Sequence, residues 1–275
     1  MRIIGWTALV MLAFAANSVL NRMALDSATT GPAAFALIRL ASGAALLCLL
    51  VGVRGDLAAL RPRRALLPGV LTLTLYILGF SFAYVTLPAG VGALILFGGV
   101  QITMFLGAVF AREPLSPMRS FGALIAFGGL VWLMAPGAER PDPWGFAMMC
   151  AAGLGWGLFS LIGRRAGAPL ATTSASFLWA LPLGLGTFLI WPDGIDLRGA
   201  LLAILAGAVT SGLGYALWYS VLPQLRTTTA AVVQLTVPII AMAGGMVFLA
   251  EPLTLRFVLA AGLVLGGVAV SLRSR

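Results

Sequence analysis

A chain of 275 residues that is 61% hydrophobic and only 9% charged cannot fold as an ordinary water-soluble domain, because such domains carry about 25% charged residues. Its formal charge of +9 comes from arginines that fall in short clusters between hydrophobic runs. A nucleic-acid-binding protein would instead gather its basic residues on one face or stripe. The composition therefore predicts an integral membrane protein and gives no support for nucleic-acid binding.

Ten hydrophobic runs follow one another along the chain, each of about the 20 residues that a membrane-spanning helix needs. The predicted spans are 3–24, 32–53, 65–86, 89–111, 118–136, 144–163, 170–191, 199–221, 228–250 and 257–272. The first run continues to Leu25, so we interpret it as a span rather than a cleaved signal peptide. The sequence thus predicts an all-α integral membrane protein with ten transmembrane helices.

The arginines indicate how these spans are oriented, because basic residues concentrate in cytoplasmic loops. Both termini and one set of alternate loops hold twelve arginines: Arg2, Arg54, Arg61, Arg63, Arg64, Arg112, Arg119, Arg164, Arg165, Arg226, Arg273 and Arg275. The opposite side holds four, which are Arg22, Arg140, Arg198 and Arg256. The distribution predicts a protein of the plasma membrane, the inner membrane of a bacterium, with both termini in the cytoplasm.

Small residues and prolines inside the spans predict how the helices pack and bend. Glycines permit close helix contact in membranes. Those singled out by their spacing are Gly153, Gly155, Gly157 and the pair Gly262 and Gly266. Pro238, midway along the ninth span, frees a backbone carbonyl and is the candidate for a functional hinge or a merely structural bend. Cys48 and Cys150 lie inside spans and are interpreted as packing residues.

An internal repeat appears when the chain is shifted by 138 residues. Residues 87–117 then align with 225–255 without a gap, and the triplet that begins at Glu113 aligns with the triplet that begins at Glu251, both reading Glu-Pro-Leu. Each half, 1–137 and 138–275, holds five spans. Since five is odd, the second half must enter the membrane inverted. Inverted repeats are typical of secondary transporters, whose site lies near the midplane between the repeats.

Several motifs resemble the EamA-type exporters of the drug/metabolite transporter superfamily, over nearly the whole chain. They are Phe35-Ala-Leu-Ile-Arg39-Leu, Trp156-Gly157, the stretch from Gly212 to Tyr219, and the Glu-Pro-Leu loop before the last helix of each half. In the first span the chain departs from the family by having Ala16-Asn17 in place of Trp-Gly. The resemblance implies two inverted five-helix repeats and export of amino acids or other metabolites. Within this group, we expect the chain to belong to the aromatic-amino-acid exporter branch.

Polar residues at mid-span are candidates for substrate binding, because polar groups are costly in a bilayer. Arg39 is the ionisable residue well inside a span, and it could hold a substrate carboxylate or lock the fold by pairing with helix carbonyls or a polar neighbour. Asn17, Gln101 and Gln234 could donate and accept hydrogen bonds to a zwitterion or join helices. Glu113 and Glu251 are interpreted as structural residues that pair with nearby arginines.

Aromatic residues form the second set of candidates for the substrate site. The third span carries Tyr76, Phe80 and Tyr84 on one face, and the eighth carries Tyr215, Trp218 and Tyr219. The repeat maps Phe80 onto Trp218, so the two faces are predicted to be related by symmetry. Trp156 and Trp179 are further candidates. The alternative is ordinary packing, or membership of the interfacial aromatic belt.

Missing residue types exclude several chemistries. Lysine is absent, so no phosphate-binding loop exists to drive transport with ATP. Histidine is absent as well, which excludes Ser-His chemistry and His-ligated metal sites. All Asp and Glu fall at span ends or in loops, whereas proton-coupled carriers usually bury a carboxylate or histidine. We therefore expect no cofactor, and either downhill transport or coupling through a group that the sequence does not identify.

Other classes of function remain as alternatives to a transporter. An intramembrane enzyme would need Asp, His or Lys at depth, and a channel would show rings of polar side chains. Among substrates, nucleobases, sugar derivatives, drugs and lipophilic compounds stay open beside amino acids. A neutral or zwitterionic molecule with an apolar part fits best. The expected partners are this small molecule and the lipid bilayer, and no obligatory protein partner is evident.

Overall fold

The computed structural model describes residues 2–27, 29–112, 116–137, 140–163, 168–225 and 233–273. Within these ranges the regular structure is helical and contains no strand. Ten helices are described: α1 (Arg2–Leu25), α2 (Pro32–Val53), α3 (Leu67–Ala83), α4 (Ala89–Phe110), α5 (Pro117–Leu133), α6 (Pro143–Gly163), α7 (Pro169–Ile190), α8 (Leu197–Ile204, Leu205–Leu213 and Gly214–Val221 in succession), α9 (Val237–Leu249) and α10 (Leu255–Arg273). The prediction of an all-α fold with ten helices is confirmed.

Most of these helices are long and apolar enough to cross a membrane. In the described ranges seven helices meet both conditions, and the apolar helices α5, α9 and α10 are shorter. The predicted ninth span began at residue 228, and residues 226–232 lie outside the described residues. What is described of that span contains a turn at Leu235 and Thr236, and α9 begins directly after it with Pro238 as its second residue. The helix is therefore interrupted just before Pro238, close to the bend that the sequence predicted.

Local sequence explains where several helices begin. Proline stands in the first turn of α2, α5 and α7, where its missing N–H leaves no hydrogen bond unmade. The start of α8 is capped by Asp196, whose carboxylate accepts a hydrogen bond from the Gly199 N–H at 2.6 Å. The proline at the start of α2 explains why its predicted bounds, 32–53, coincide with the observed ones.

The middle of α8 is a π-helix, Leu205–Leu213, which the sequence did not predict. π-Helical turns are rare and are frequently found at functional sites. Here the wider turn packs on α2: a Cβ added to Gly207 would collide with the backbone carbonyl of Arg39. Within this stretch, the Ser211 hydroxyl lies 3.4 Å from Arg39 Nε.

Glycines let α6 pack tightly on α3 and α4. A Cβ on Gly155 would lie 2.7 Å from the Tyr76 nitrogen of α3, and one on Gly153 would lie 3.2 Å from the Gly99 Cα of α4. A Cβ on Gly157 would also crowd the Thr103 side chain. The prediction of close helix contacts by these three glycines is confirmed.

The corresponding prediction for Gly262 and Gly266 is wrong within this chain. A Cβ on either residue would meet no atom within 4 Å. The helix α10 instead turns Gly267 toward α5, where a Cβ would lie 2.6 Å from the Gly122 carbonyl oxygen. The neighbouring glycine makes the contact because the face of α10 that packs on α5 is one residue removed from the Gly-x-x-x-Gly face.

The helices pack in two groups that each take members from both sequence halves. One group consists of α3, α4 and α6, and the other of α1, α8 and α9. Helix α2 packs on α7 and α8, α7 also packs on α3, and α5 pairs with α10. The two groups contact each other through α4 and α9. The 138-residue shift exchanges one group for the other. This correspondence supports the proposal of two five-helix repeats, 1–137 and 138–275.

Candidate functional site

Arg39 lies at the centre of the bundle with no exposed surface. Its Nη2 donates a hydrogen bond to the Tyr76 hydroxyl at 2.8 Å, and its Nε and Nη2 each lie 3.4 Å from the Ser211 Oγ. The guanidinium carbon is 4.8 Å from the centroid of the Phe80 ring and 5.3 Å from that of Tyr76. Two aromatic faces and two hydroxyls thus hold the cation, a cation–π arrangement.

Among the residues that the structure describes, the Nη1 atom of Arg39 finds no hydrogen-bond partner, although it is fully buried. The described acidic residues all lie in loops or at helix ends, so none of them faces this cation. Leaving a buried donor unpaired costs about 1–3 kcal/mol, and more when the group is charged. The cluster therefore contains one charged donor whose hydrogen-bonding capacity is unused among the described residues.

Amide and hydroxyl side chains extend the polar cluster from Tyr76 toward α1 and α8. Asn17 Nδ2 lies 3.4 Å from the Tyr76 hydroxyl, and Thr210 donates to Asn17 Oδ1 at 3.2 Å. Asn21 donates to the Asn17 carbonyl at 2.8 Å, and Ser81 lies 3.4 Å from Asn21 Oδ1. These side chains are buried, so the helices α1, α3 and α8 share one hydrogen-bonded network.

Aromatic rings wall one side of this network, with Trp156 of α6 in the middle. Ring centroids lie 4.6 Å from Trp156 to Tyr76, 5.7 Å to Phe14 and 5.9 Å to Tyr215. Phe14 also contacts Trp218, with 6.2 Å between the centroids. The wall brings together rings from α1, α3, α6 and α8, and Trp156 itself is only partly buried. An apolar group of a ligand would find aromatic contact here.

The structure gathers seven of the twelve predicted site residues into one centre. They are Asn17, Arg39, Tyr76, Phe80, Trp156, Tyr215 and Trp218. Tyr84 and Tyr219 lie at its margins. Tyr84 is 4.7 Å from the Phe80 ring and donates to the Ala89 carbonyl, and Tyr219 bonds with Thr173.

The other three predicted residues lie apart from this centre. Trp179 is 37% exposed, and its indole N–H donates to the Leu60 carbonyl in the loop between α2 and α3. Within the described ranges, Gln101 and Gln234 are partly exposed and make no hydrogen bond with the network. Pro238 lies buried in the first turn of α9. Its role as a hinge stays a prediction.

Several residues of the centre were not singled out from the sequence. They are Phe14, Asn21, Ser81, Thr210 and Ser211. Asn21 follows Asn17 by four residues, so a polar stripe on the first span was a readable signal. Thr210 and Ser211 gave no such signal, because the contact of Thr210 with Asn17 and that of Ser211 with Arg39 are made from the π-helical stretch.

These observations define the class of protein: a helical integral membrane protein with a buried polar centre walled by aromatic rings. Residues 143–273 match the EamA-like transporter family. An uncharacterized protein of Pseudomonas aeruginosa is 44% identical over 271 residues, covering 98% of this chain and 94% of its own. A solved crystal structure covers 98% of this chain and 97% of its own, with a TM-score of 0.70 and 18% identity, and thus shares the fold. The chain belongs to the EamA-like transporter family, within the drug/metabolite transporter superfamily.

Two further relatives carry functional names. A Salmonella typhimurium protein named probable amino-acid metabolite efflux pump is 25% identical, and the match covers 67% of this chain and 68% of the relative. The threonine/homoserine exporter RhtA of Escherichia coli K12 is 29% identical, with 68% and 63% covered. Together with the family and the apolar helices, they identify this chain as a membrane transporter.

Proposed function

We propose that this transporter exports small metabolites, amino acids foremost, and binds them at the Arg39 centre. The single observation that carries the proposal is the buried Nη1 of Arg39, which has no partner. A carboxylate is the group that best satisfies a guanidinium donor, through a short charge-assisted hydrogen bond. The names of the two relatives, an amino-acid metabolite efflux pump and a threonine/homoserine exporter, support the same class of substrate.

The rest of the centre fits the other parts of an amino acid. Asn17 Oδ1 could accept a hydrogen bond from an ammonium group in place of the one that it accepts from Thr210. The rings of Phe14, Trp156 and Tyr215 offer an apolar wall to the side chain. The described core contains no carboxylate, so a cationic amine without its own carboxylate would meet Arg39 as a like charge. The site therefore favours zwitterions with an apolar part, including aromatic amino acids.

Transport would proceed by alternating access between the two packed groups of helices. Arg39 and Tyr76 belong to α2 and α3, and Ser211 and Tyr215 belong to α8, so the site lies where the groups meet. A site between repeats near the midplane is the arrangement that this mechanism requires. The arginine distribution predicts that both termini are in the cytoplasm, and export would then run from that side to the end where α1, α3 and α9 finish.

Uptake into liposomes that contain the purified protein tests this proposal directly. Radiolabelled L-threonine and L-phenylalanine serve as probes, with protein-free liposomes as the control. For each probe the competitors are the free amino acid, its carboxamide and its decarboxylated amine, which differ only in the carboxylate. We expect saturable uptake that the free acid competes and the other two do not.

Two results would contradict the proposal at different levels. If the carboxamide competed as well as the free acid, the protein would not recognise its substrate through the carboxylate. Absence of transport for every amino acid, by protein shown to be folded and inserted, would move the substrate to nucleobases, sugar derivatives or lipophilic compounds.

A further inference from the structure

Arg22, near the end of α1, holds together the ends of several helices. Its Nη1 donates to the backbone carbonyls of Tyr84 at 3.1 Å and Val85 at 2.8 Å, in the turn between α3 and α4. Its Nη2 pairs with Asp26 one helical turn later at 2.6 Å. The side chain is 18% exposed. One arginine therefore ties α1 to the α3–α4 turn.

Glu251, in the loop after α9, caps the start of α4. Both carboxylate oxygens accept from the Ala89 N–H, each 2.9 Å from the nitrogen. The Oε1 atom also lies 3.8 Å from Arg22 Nε. The side chain is only 10% exposed. The first turn of a helix presents unpaired N–H groups and a positive dipole end, so a carboxylate is stabilised there. Glu251 thus joins the α9–α10 loop to α4 and to Arg22.

The chain after α9 is shaped to return Glu251 onto α4. Ala250 adopts a left-handed conformation with φ of 53°, and the Glu251 N–H donates to the Gly245 carbonyl at 3.1 Å. The Glu251 carboxyl occupies the space in which a Gly245 side chain would lie. Pro252 follows at once and prevents the helix from continuing. The glutamate and proline of the second Glu-Pro-Leu triplet therefore have structural roles: Glu251 caps α4, and Pro252 ends α9.

Other carboxylates at this end of the molecule make contacts of a different kind. Asp142 accepts from Gly145 at 2.7 Å and from Thr86 at 3.1 Å, which joins the start of α6 to the α3–α4 turn within one packed group. Asp196 accepts from Thr29 and Thr30, which joins the start of α8 to the loop before α2. Arg22 and Glu251 differ because they connect the α1, α8 and α9 group to the α3, α4 and α6 group.

We propose that Arg22 and Glu251 form the gate of the transport path at this end, which the arginine distribution places outside the cytoplasm. The inference rests on the proposed alternating access. Substrate leaves the Arg39 centre toward this end only when the two groups separate here. Separation breaks the Glu251–Ala89 contact and the bonds from Arg22 to the α3–α4 turn, while Gly90 and Met242, which touch in the closed arrangement, move apart.

The gate carries a pH dependence whose sign follows from its surroundings. Burial raises the pKa of the Glu251 carboxyl above its ordinary value, opposed by the Ala89 N–H and Arg22, while the repulsion from Asp26 adds to the rise. Tyr84 faces the same group from the end of α3. An open gate would hydrate the carboxyl and restore its ordinary pKa. The closed gate therefore binds the proton more tightly, so acid favours closure, and this gain is lost as the pH rises through the raised pKa.

Hydrogen exchange of the protein in lipid nanodiscs tests the gate without any substrate. The readout is deuterium uptake by a peptide covering residues 84–92, which contains the backbone groups held by Arg22 and Glu251. Glu251→Ala removes the cap, and Glu251→Gln keeps its shape without the titrating charge. Asp196→Asn is the matched control, since it alters a carboxylate cap at the same end that does not connect the two groups of helices. Exchange is compared at about pH 5 and about pH 8, corrected for the intrinsic rate.

We expect Glu251→Ala to lose protection of this peptide several-fold, while peptides of the α5–α10 pair keep theirs and thereby show that the fold is intact. The wild type and Asp196→Asn should lose protection toward the alkaline pH, and Glu251→Gln should not. Unchanged protection in Glu251→Ala, or the same pH dependence in Glu251→Gln as in the wild type, would overturn the gate. Failure of amino-acid transport in liposomes would refute the proposed substrate class and leave this readout intact.

Discussion

The Arg39 centre and the Arg22–Glu251 gate both keep a charge away from water, but they do so in opposite ways. At the gate, cation and carboxylate face each other and the backbone groups around them are paired. At the centre, the cation faces neutral hydroxyls and aromatic rings, and one of its donors is left without a partner. A cluster whose donors and acceptors are all hydrogen-bonded joins helices, whereas a cluster with an unpaired donor can still bond to a ligand.

Tyr84 connects the two regions. Its carbonyl accepts from Arg22, and its ring lies 4.7 Å from Phe80, which in turn faces the Arg39 guanidinium. The cost of the unpaired donor at the centre persists in the empty transporter and is relieved when substrate binds. The difference between the regions therefore assigns recognition to the first and closure to the second, and variants in each should fail in different measurements.

The largest effect is expected from Arg39→Gln, which removes the unpaired charged donor. A hydrogen bond to a charged group is worth about 1.5–3 kcal/mol, so affinity for the free amino acid should fall about 10- to 100-fold. Competition in liposome uptake measures this change. In this variant the carboxamide should compete for uptake as well as the free amino acid does. An unchanged preference for the free acid would show that another group reads the carboxylate.

A loss of closure with recognition intact is expected from Gly245→Ala, because the new side chain displaces the Glu251 carboxyl. Overpacking of this kind costs about 1–3 kcal/mol, and protection of residues 84–92 from hydrogen exchange should fall as it does in Glu251→Ala. Gly128→Ala is the control, since a Cβ there meets no atom within 4 Å. Equal loss in both variants would mean that the effect comes from a general change in helix stability.

A change in selectivity is expected from Phe14→Ala, because this ring fills the wall between Trp156 and Trp218. The enlarged wall should favour bulkier side chains by about tenfold, the scale on which apolar pockets discriminate size. The ratio of L-phenylalanine to L-threonine transport measures this shift. A uniform loss for both probes, without a change in their ratio, would make Phe14 a packing residue only.

The smallest effect is expected from Trp179→Phe, which belongs to neither region. The substitution removes one hydrogen bond to the Leu60 carbonyl, worth on the order of 1 kcal/mol of stability. Thermal unfolding in detergent should register this loss while uptake of both probes stays at the wild-type rate. A strong transport defect in folded protein would place Trp179 on the transport path.

The sequence predicted the helices well where composition and chain breakers act locally. The second span was predicted as 32–53 and is observed as Pro32–Val53, because a proline begins it and Arg54 and Gly55 follow it. The ninth span was predicted as one helix, yet the described part contains a turn at Leu235 and Thr236. Proline signals such a break, but its exact place depends on the helices packed around it.

The sequence predicted those residues of the Arg39 centre whose polar side chains are costly to bury in a membrane. It missed residues that reach the centre only through the packing of the helices. Asn17 and Arg39 were found because polar groups at mid-span are rare. Ser211 was missed because serines are common, and only the π-helical turn brings this one to Arg39. Trp179 was included because its residue type suits a binding site. The rotation of α7 turns it outward, and a single sequence contains no clear sign of that rotation.

The π-helical stretch of α8 also bears on how this protein tolerates insertions and deletions. A π-helical turn holds one residue more than an α-helical turn, so a deletion within 205–213 could be absorbed by straightening the turn. The flanking segments Leu197–Ile204 and Gly214–Val221 would keep their faces, and Tyr215 would keep its place. The same deletion in α3 would rotate everything beyond it by about 100°. The hydroxyl lining beside Arg39 is thus the part of the site that a change in chain length could remodel while the aromatic wall stays fixed.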